Sequence, residues 1–178
     1  MMIFVAGVYG VGKTTICNFL ASSLGYVSVS ASALIKRRRG EWNWDRLKRT
    51  SDIPTNQNHL IQAVHDFQNT NKKSILDGHF ALLDNAGEIL KIDVNVFLAL
   101  NIDAVLLIED QPAEILARLN LRDSVSWELH VLVSLITAER EGALRFHRES
   151  GIPIAIFQRN ELQKIVRFIL DIENSNKK

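Results

Sequence analysis

The sequence predicts an α/β domain in which a five-stranded parallel sheet lies between two layers of helices. Three observations carry that expectation. Apolar, strand-like runs alternate with helix-spaced segments from one end of the chain to the other. The 178 residues suit one domain with a substantial core. A glycine-rich turn follows the first apolar run and opens the first helical one.

The elements follow in order. Residues 2–7 are apolar and end at Gly7, which reads as a buried strand. Residues 13–25 carry Ile16, Phe19, Leu20 and Leu24 at helical spacing and stop at Gly25. Residues 26–31 read as a second strand and 32–39 as a short helix ending at Gly40. A polar, irregular stretch runs from 41 to 54, and a helix is expected from Thr55 to about Asn69. A third strand lies within 73–79 and ends in Asp77-Gly78. Residues 80–93 read as a long connection, followed by a short helical run at about 94–100. Residues 103–110 form a fourth strand, and Pro112 sits at the first position of the next helix. A long helix spans roughly 126–149, stopped by Gly151. A fifth strand at 152–157 and an amphipathic helix at about 160–173 complete the chain, the latter with Leu162, Ile165, Val166 and Ile169 on one face.

Composition bounds the functional classes. Hydrophobic residues make up 47% and charged residues 23%, as in ordinary soluble domains. The net charge of +1 gives no global electrostatic case for nucleic acid or a membrane surface. No apolar run reaches the length of a transmembrane helix, and residues 1–7 are too short for a signal core. Cys17 is the only cysteine, so no internal disulfide can form, and a cytoplasmic, reducing location is expected. His59, His65, His130 and His147 show no metal-ligand spacing.

In a parallel α/β sheet, ligands bind beyond the carboxyl ends of the strands. The residues there are the ones to weigh. Gly7-x-x-x-x-Gly12-Lys13-Thr14 matches a phosphate-binding loop in full, with a strand before it and a helix after it. Gly7, Gly10 and Gly12 let backbone N–H groups converge on phosphate oxygens. The helix opening at Lys13 points its dipole at the same anion. Gly7, Gly10, Val11, Gly12, Lys13, Thr14 and Thr15 are thus expected to hold a nucleoside triphosphate, with the Thr14 hydroxyl on Mg²⁺. The metal also needs a carboxylate from another strand end. Asp77 is the first candidate, with Glu109 and Asp110 behind it.

The reaction class is read from what accompanies the loop. A switch GTPase would need an Asn-Lys-x-Asp motif and an Asp-x-x-Gly after a strand, and neither is present. Chain length argues against a motor or AAA-type ATPase. A phosphotransferase needs a closed, dry site and several cations around the facing phosphates. Arg118 and Arg122, four apart between two predicted helices, suit that role, and Arg140 and Arg145 follow on the long helix.

GVYGVGKTT (7–15), RTSDIPTNQ (49–57), SILDGH (74–79), AVLLIEDQPAEILARL (104–119), ITAERE (136–141) and HRESGIPIAIF (147–157) together resemble the adenylate kinase group of nucleoside monophosphate kinases. The similarity runs along nearly the whole chain and is nearest to the short archaeal-type adenylate kinases. It implies a three-layer P-loop NTPase fold over 1–178, an acceptor-binding segment at about 32–70 and a short lid at about 118–126. It implies ATP and Mg²⁺ as cofactors and a small nucleotide as the phosphate acceptor. Lys36 stands where the family often carries an arginine for the acceptor phosphate, and Gln57 resembles a position that helps hold the acceptor nucleotide. Asp77 and His79 stand at the acceptor side and metal edge. Lys13, Arg118, Arg122 and Arg140 would neutralise the phosphoryl group in transit.

The chain departs from bacterial adenylate kinases in three ways. Its lid is very short. Asp77-Gly78-His79-Phe80-Ala81 lacks the arginine of Asp-Gly-x-Pro-Arg. Residues 36–50 carry seven cations together with Trp42 and Trp44. That segment suits capture of an acceptor phosphate with a tryptophan on the base, or single-stranded nucleic acid, or a solvated helix face. Proteins of this fold include ATPases of ribosome maturation and kinases of RNA ends, nucleosides and small molecules. An RNA-linked ATPase and a kinase of hydroxyl acceptors therefore stand as the other readings. For a hydroxyl acceptor, Asp77 or His79 becomes a candidate general base.

Overall fold

The computed structural model describes residues 1–39, 53–84, 86–123 and 126–176. The first strand, β1 (Met2–Ala6), is buried along its whole length, as a central parallel strand must be. Helix α1 (Lys13–Leu24) follows the glycine loop and ends at Gly25, whose N–H bonds the Ala21 carbonyl at 3.1 Å. Then come β2 (Val27–Ser30), α2 (Ala31–Arg39), α3 (Ile53–Thr70) and β3 (Ser74–Asp77). The stretch expected to be a plain connection forms a small hairpin, β4 (Ala81–Leu83) and β5 (Ile89–Lys91). The Asp84 carboxylate shapes its turn by accepting from Ala86 N at 2.8 Å and Glu88 N at 2.9 Å.

Helix α4 (Val94–Leu98) starts at Asp93, whose side chain accepts from Asn95 N. Strand β6 (Ala104–Glu109) leads to α5 (Pro112–Arg122), with proline in the first turn as expected. Helix α6 (Leu129–Ser150), β7 (Ile154–Gln158) and α7 (Leu162–Ser175) complete the order.

The main sheet has the order β2-β3-β1-β6-β7 and is parallel throughout. Val5 stands opposite Asp77 on one side and Leu106 on the other. That register brings the carboxyl ends of β1, β3 and β6 side by side. Alternate residues of β1 feed two cores. Ile3 and Val5 pack with Ile16, Leu20 and Ile165 on one face. Met2, Phe4 and Ala6 pack with Leu34, Val64 and Phe97 on the other. Helix α6 serves both, through Leu132 and Leu135 in the first core and Ala143 and Phe146 in the second. This is the three-layer arrangement the alternation of elements implied. Among the described residues, no helix is long and apolar enough to cross a membrane.

Candidate active site

The loop between β1 and α1 turns through three glycines at positive φ: Gly7 at 143°, Gly10 at 75° and Gly12 at 108°. Two of them also lack room for a side chain. A Cβ on Gly7 would lie 2.6 Å from the Ile108 carbonyl oxygen, and one on Gly10 would lie 2.8 Å from Leu119 Cγ. The loop is therefore wedged between the end of β6 and α5. Val11 is fully buried and anchors it from behind.

Lys13 is buried within this cradle. Its Nζ donates to the Gly7 carbonyl at 2.7 Å and the Val8 carbonyl at 3.3 Å. It also lies 3.7 Å from Asp77 Oδ1 and 3.5 Å from His79 Nε2. Burial lowers the ammonium pKa, while the carboxylates of Asp77 and Glu139 pull it back up. Burial raises Asp77 in turn, against the opposing pull of Lys13 and the Thr14 hydroxyl. His79 is held well below the usual histidine range by burial and by the neighbouring ammonium, so its ring is neutral. Its Nδ1 is sealed from solvent with no hydrogen-bond partner among the described residues. The ring lies against Tyr9, with centroids 4.4 Å apart.

The arginines divide. Arg118 donates to the Gly10 carbonyl at 2.9 Å and to Asp110 Oδ2 at 2.7 Å, so it braces the glycine loop against the end of β6. Arg122 lies in the last turn of α5 and grips Asp123 with two bonds, at 2.8 and 3.0 Å. The same carboxylate accepts from Trp127 Nε1 at 3.1 Å, and Trp127 packs near Tyr9. Arg140 is half-exposed and faces Glu109 at 3.5 Å.

These groups open onto one cavity of about 590 Å³, within the range of small-molecule sites. Of the residues singled out from the sequence, Gly10, Gly12, Lys13, Thr14, Thr15, Gln57, Asp77, His79, Arg118 and Arg122 line it. Gly7 and Val11 support the loop from outside the lining. Lys36 is exposed on α2, and neither it nor Arg140 is brought to the cavity. Glu109 and Asp110, the other carboxylate candidates, are engaged with Arg140 and Arg118. Trp42, Trp44 and residues 40–52 lie outside the described residues, as do lid positions 124 and 125. Away from the phosphate loop, the cavity is walled by apolar side chains, with Ile35, Leu60, Val96 and Phe97 among them.

The sequence reading missed Glu139. Nothing in the sequence reading singles it out, yet it is 2% exposed. Its carboxylate accepts from Gly7 N at 2.9 Å and from Phe80 N and Ala81 N, both at 2.8 Å. A signal was present: Leu132, Leu135, Glu139, Ala143 and Phe146 form one stripe at helical spacing, with a single acid among apolar residues.

Residues 6–127 match the AAA domain family, more than half of the chain. The chain belongs to that family. Chain length had argued against an AAA-type assignment; length does not separate this protein from the family so described. An adenylate kinase homolog of Methanothermobacter thermautotrophicus is 29% identical over 117 residues, which is 64% of this chain and 60% of the relative. The chain thus spans about three fifths of that curated relative's length. Among solved structures, shikimate kinase from Aquifex aeolicus superposes with a TM-score of 0.61 at 16% identity, covering 99% of this chain and 98% of the other. A gluconokinase from Sinorhizobium meliloti 1021 does so with a TM-score of 0.53 at 15% identity, covering 93% and 87%. At these identities the structures establish the shared P-loop kinase fold.

Proposed function

We propose that the chain is an ATP-dependent phosphotransferase of the nucleoside monophosphate kinase type. The observation that carries this reading is the single cavity that joins the phosphate loop to an apolar slot. At one end Lys13, Thr14, Arg118 and Arg122 converge. The lining also includes Gln57 and the apolar side chains of Ile35, Leu60, Val96 and Phe97, a mixture that suits a nucleobase. The adenylate kinase homolog named above supports the same acceptor class.

The site fits ATP and Mg²⁺. The three positive-φ glycines form a cradle that a Cβ would obstruct at Gly7 and Gly10. Lys13 lies beneath it, and the Thr14 hydroxyl and Asp77 carboxylate would hold the metal. Such a hydroxyl and single carboxylate suit a cation that takes its remaining ligands from phosphate and water. A cation held by Thr14 and Asp77 would supply charge neutralisation to the phosphates. An acceptor phosphate oxygen would attack the γ-phosphorus, and the bond to the ADP oxygen would break. No base is required, because that oxygen is already a nucleophile. Lys13 and Arg122 would stabilise the equatorial oxygens in the transition state.

A second reading has its own observation. Asp77 lies in the cavity with its pKa raised by burial, which suits a base for a hydroxyl acceptor. Shikimate kinase and gluconokinase share the fold. The test is an acceptor panel with ATP and Mg²⁺, reading ADP formation. AMP, dAMP, CMP, UMP, GMP and dTMP form one arm, shikimate and gluconate a second, and no acceptor a third. Fast turnover with one monophosphate and almost none without acceptor is the expected result. Turnover only with a hydroxyl acid would transfer the assignment to the second reading. Slow ADP release that ignores every acceptor would leave an ATPase, and RNA binding with steep salt dependence would then be sought.

A further inference from the structure

Among the described residues, Glu139 is the buried carboxylate that touches both halves of the site. It comes from the middle of α6 and accepts three backbone N–H groups from two separate segments. Oε1 takes Gly7 N, the first residue of the phosphate loop. Oε2 takes Phe80 N and Ala81 N, which directly follow His79. The Gly7 carbonyl in turn accepts Lys13 Nζ. Gly7 is therefore held on its N–H by Glu139 and on its carbonyl by Lys13.

From this geometry we infer that Glu139 is a positioning residue that fixes the phosphate loop and the His79 segment as one unit. It touches no reacting atom. It sets the turn of the Gly7 peptide and hence the seat of Lys13. It also sets the start of β4, and hence where His79 stands beside the acceptor. A nucleotide seated on the loop is thereby registered against the acceptor side without a mobile intermediary.

The chemistry of the residue suits the task. A carboxylate offers two oxygens with four lone-pair directions and no donor, matching three converging N–H groups. An amide of the same shape would turn its NH₂ toward one of the two segments and break that half of the bridge. Burial pushes the Glu139 carboxyl up to about 7, and Lys13 and the three N–H donors pull it the other way. The other charged or titratable groups nearby are Asp77 beyond Lys13, the neutral His79, and Glu109 and Asp110 at the end of β6.

The inference rests on the nucleotide-binding reading of the loop, and its test has a readout besides turnover. The amides of Gly7, Gly12, Phe80 and Ala81 would be followed by NMR in wild type and Glu139→Gln during titration with Mg–ATP. In wild type, Phe80 and Ala81 are expected to shift with Gly7 and Gly12 at the same apparent Kd. In Glu139→Gln, Gly12 should still respond while Phe80 and Ala81 lose most of their shift. With any acceptor that turns over, kcat should fall about 10- to 100-fold while the KM for ATP moves less than about threefold. A silent Phe80–Ala81 pair in wild type overturns the inference, as does a folded Glu139→Gln with wild-type shifts and kcat. If the glutamine variant does not fold, Glu139→Asp, which keeps the charge but shortens the reach, takes its place. Should neither variant fold, the wild-type titration alone decides, a shared Kd upholding the link. Should no acceptor support turnover, the phosphotransferase reading falls, while the titration still judges Glu139.

Discussion

The two ends of the cavity are built from different materials. The phosphate end is main chain and charge: a loop of glycines at positive φ, one buried ammonium, and arginines at and near the last turn of α5. The other end, where the proposed acceptor would lie, is side-chain shape, with Ile35 from α2, Leu60 from α3, and Val96 and Phe97 from α4. A triphosphate presents the same charged oxygens whatever base it carries, so a backbone cradle serves it without reading identity. An acceptor is chosen by volume and by the few polar groups that meet it. Charge removed at the first end should therefore cost rate, whereas shape or hydrogen bonding removed at the second should cost selectivity.

The largest effect should come from Lys13. Lys13→Met keeps the bulk of the stem and deletes the ammonium that lies among Gly7, Asp77 and His79. Loss of one preorganised donor at a developing charge costs about 10²- to 10³-fold in kcat. Steady-state turnover checks this, with circular dichroism to show that the fold is kept. Near-normal turnover would remove Lys13 from the chemistry and dissolve the contrast between the two ends.

Arg122 comes next, and Arg118 sharpens what it means. Arg122→Ala should lower kcat by roughly 10²-fold with a smaller change in ATP affinity, if the side chain acts on charge that develops in the transition state. Arg118 is tied to the Gly10 carbonyl and Asp110. Arg118→Ala should loosen the loop and raise the KM for ATP along with its effect on kcat. Equal, KM-only effects in both variants would make the pair a structural brace.

How far these residues could be read from the sequence follows the same division. The phosphate loop was legible because its chemistry demands fixed residue types within nine consecutive positions, and β1, β6 and β7 were legible as apolar runs, whereas β2 alternates valine with serine and β3 is a short Ile-Leu pair closed by Asp77-Gly78. The β4–β5 hairpin was missed: each strand has three residues, too few to show alternation between stretches that look like connection. The apolar stripe of α6 marks Glu139 as buried but not what it binds, because its partners, Gly7, Phe80 and Ala81, are backbone groups from distant parts of the chain, which leave no trace in residue type. The acceptor wall is assembled from three helices, so no local pattern marks it. Gln57 was placed by resemblance and does line the cavity, whereas Lys36, placed the same way, is exposed on the outside of α2.

Gln57 offers the test at the acceptor end. Among the described side chains of α3, it is the polar one that lines the cavity. Gln57→Ala should raise the acceptor KM about tenfold, the worth of roughly one hydrogen bond, and leave the KM for ATP within twofold. An equal rise in both would mean that the two ends are not separable.

The smallest effect is expected at Arg140, and it bears on how rigid the site is. Glu139 and Arg140 are neighbours on α6, and successive side chains of a helix point about 100° apart. Glu139 therefore points into the core while Arg140 faces outward, 3.5 Å from Glu109 and half-exposed. A half-exposed pair of this kind contributes about 0–1 kcal/mol. Arg140→Ala should keep kcat and both KM values within about twofold, with thermal stability lowered by a few degrees at most. A tenfold loss of kcat with stability intact would carry a different message. Arg140 would then have to reach the transferring phosphoryl group when substrates are bound, and α6 would have to turn its outer face inward. Glu139, fastened to three backbone N–H groups on the same turn, opposes that rotation. The Arg140 variant thus tests whether the Glu139 anchor holds during catalysis, and the anchored geometry requires it to be nearly silent.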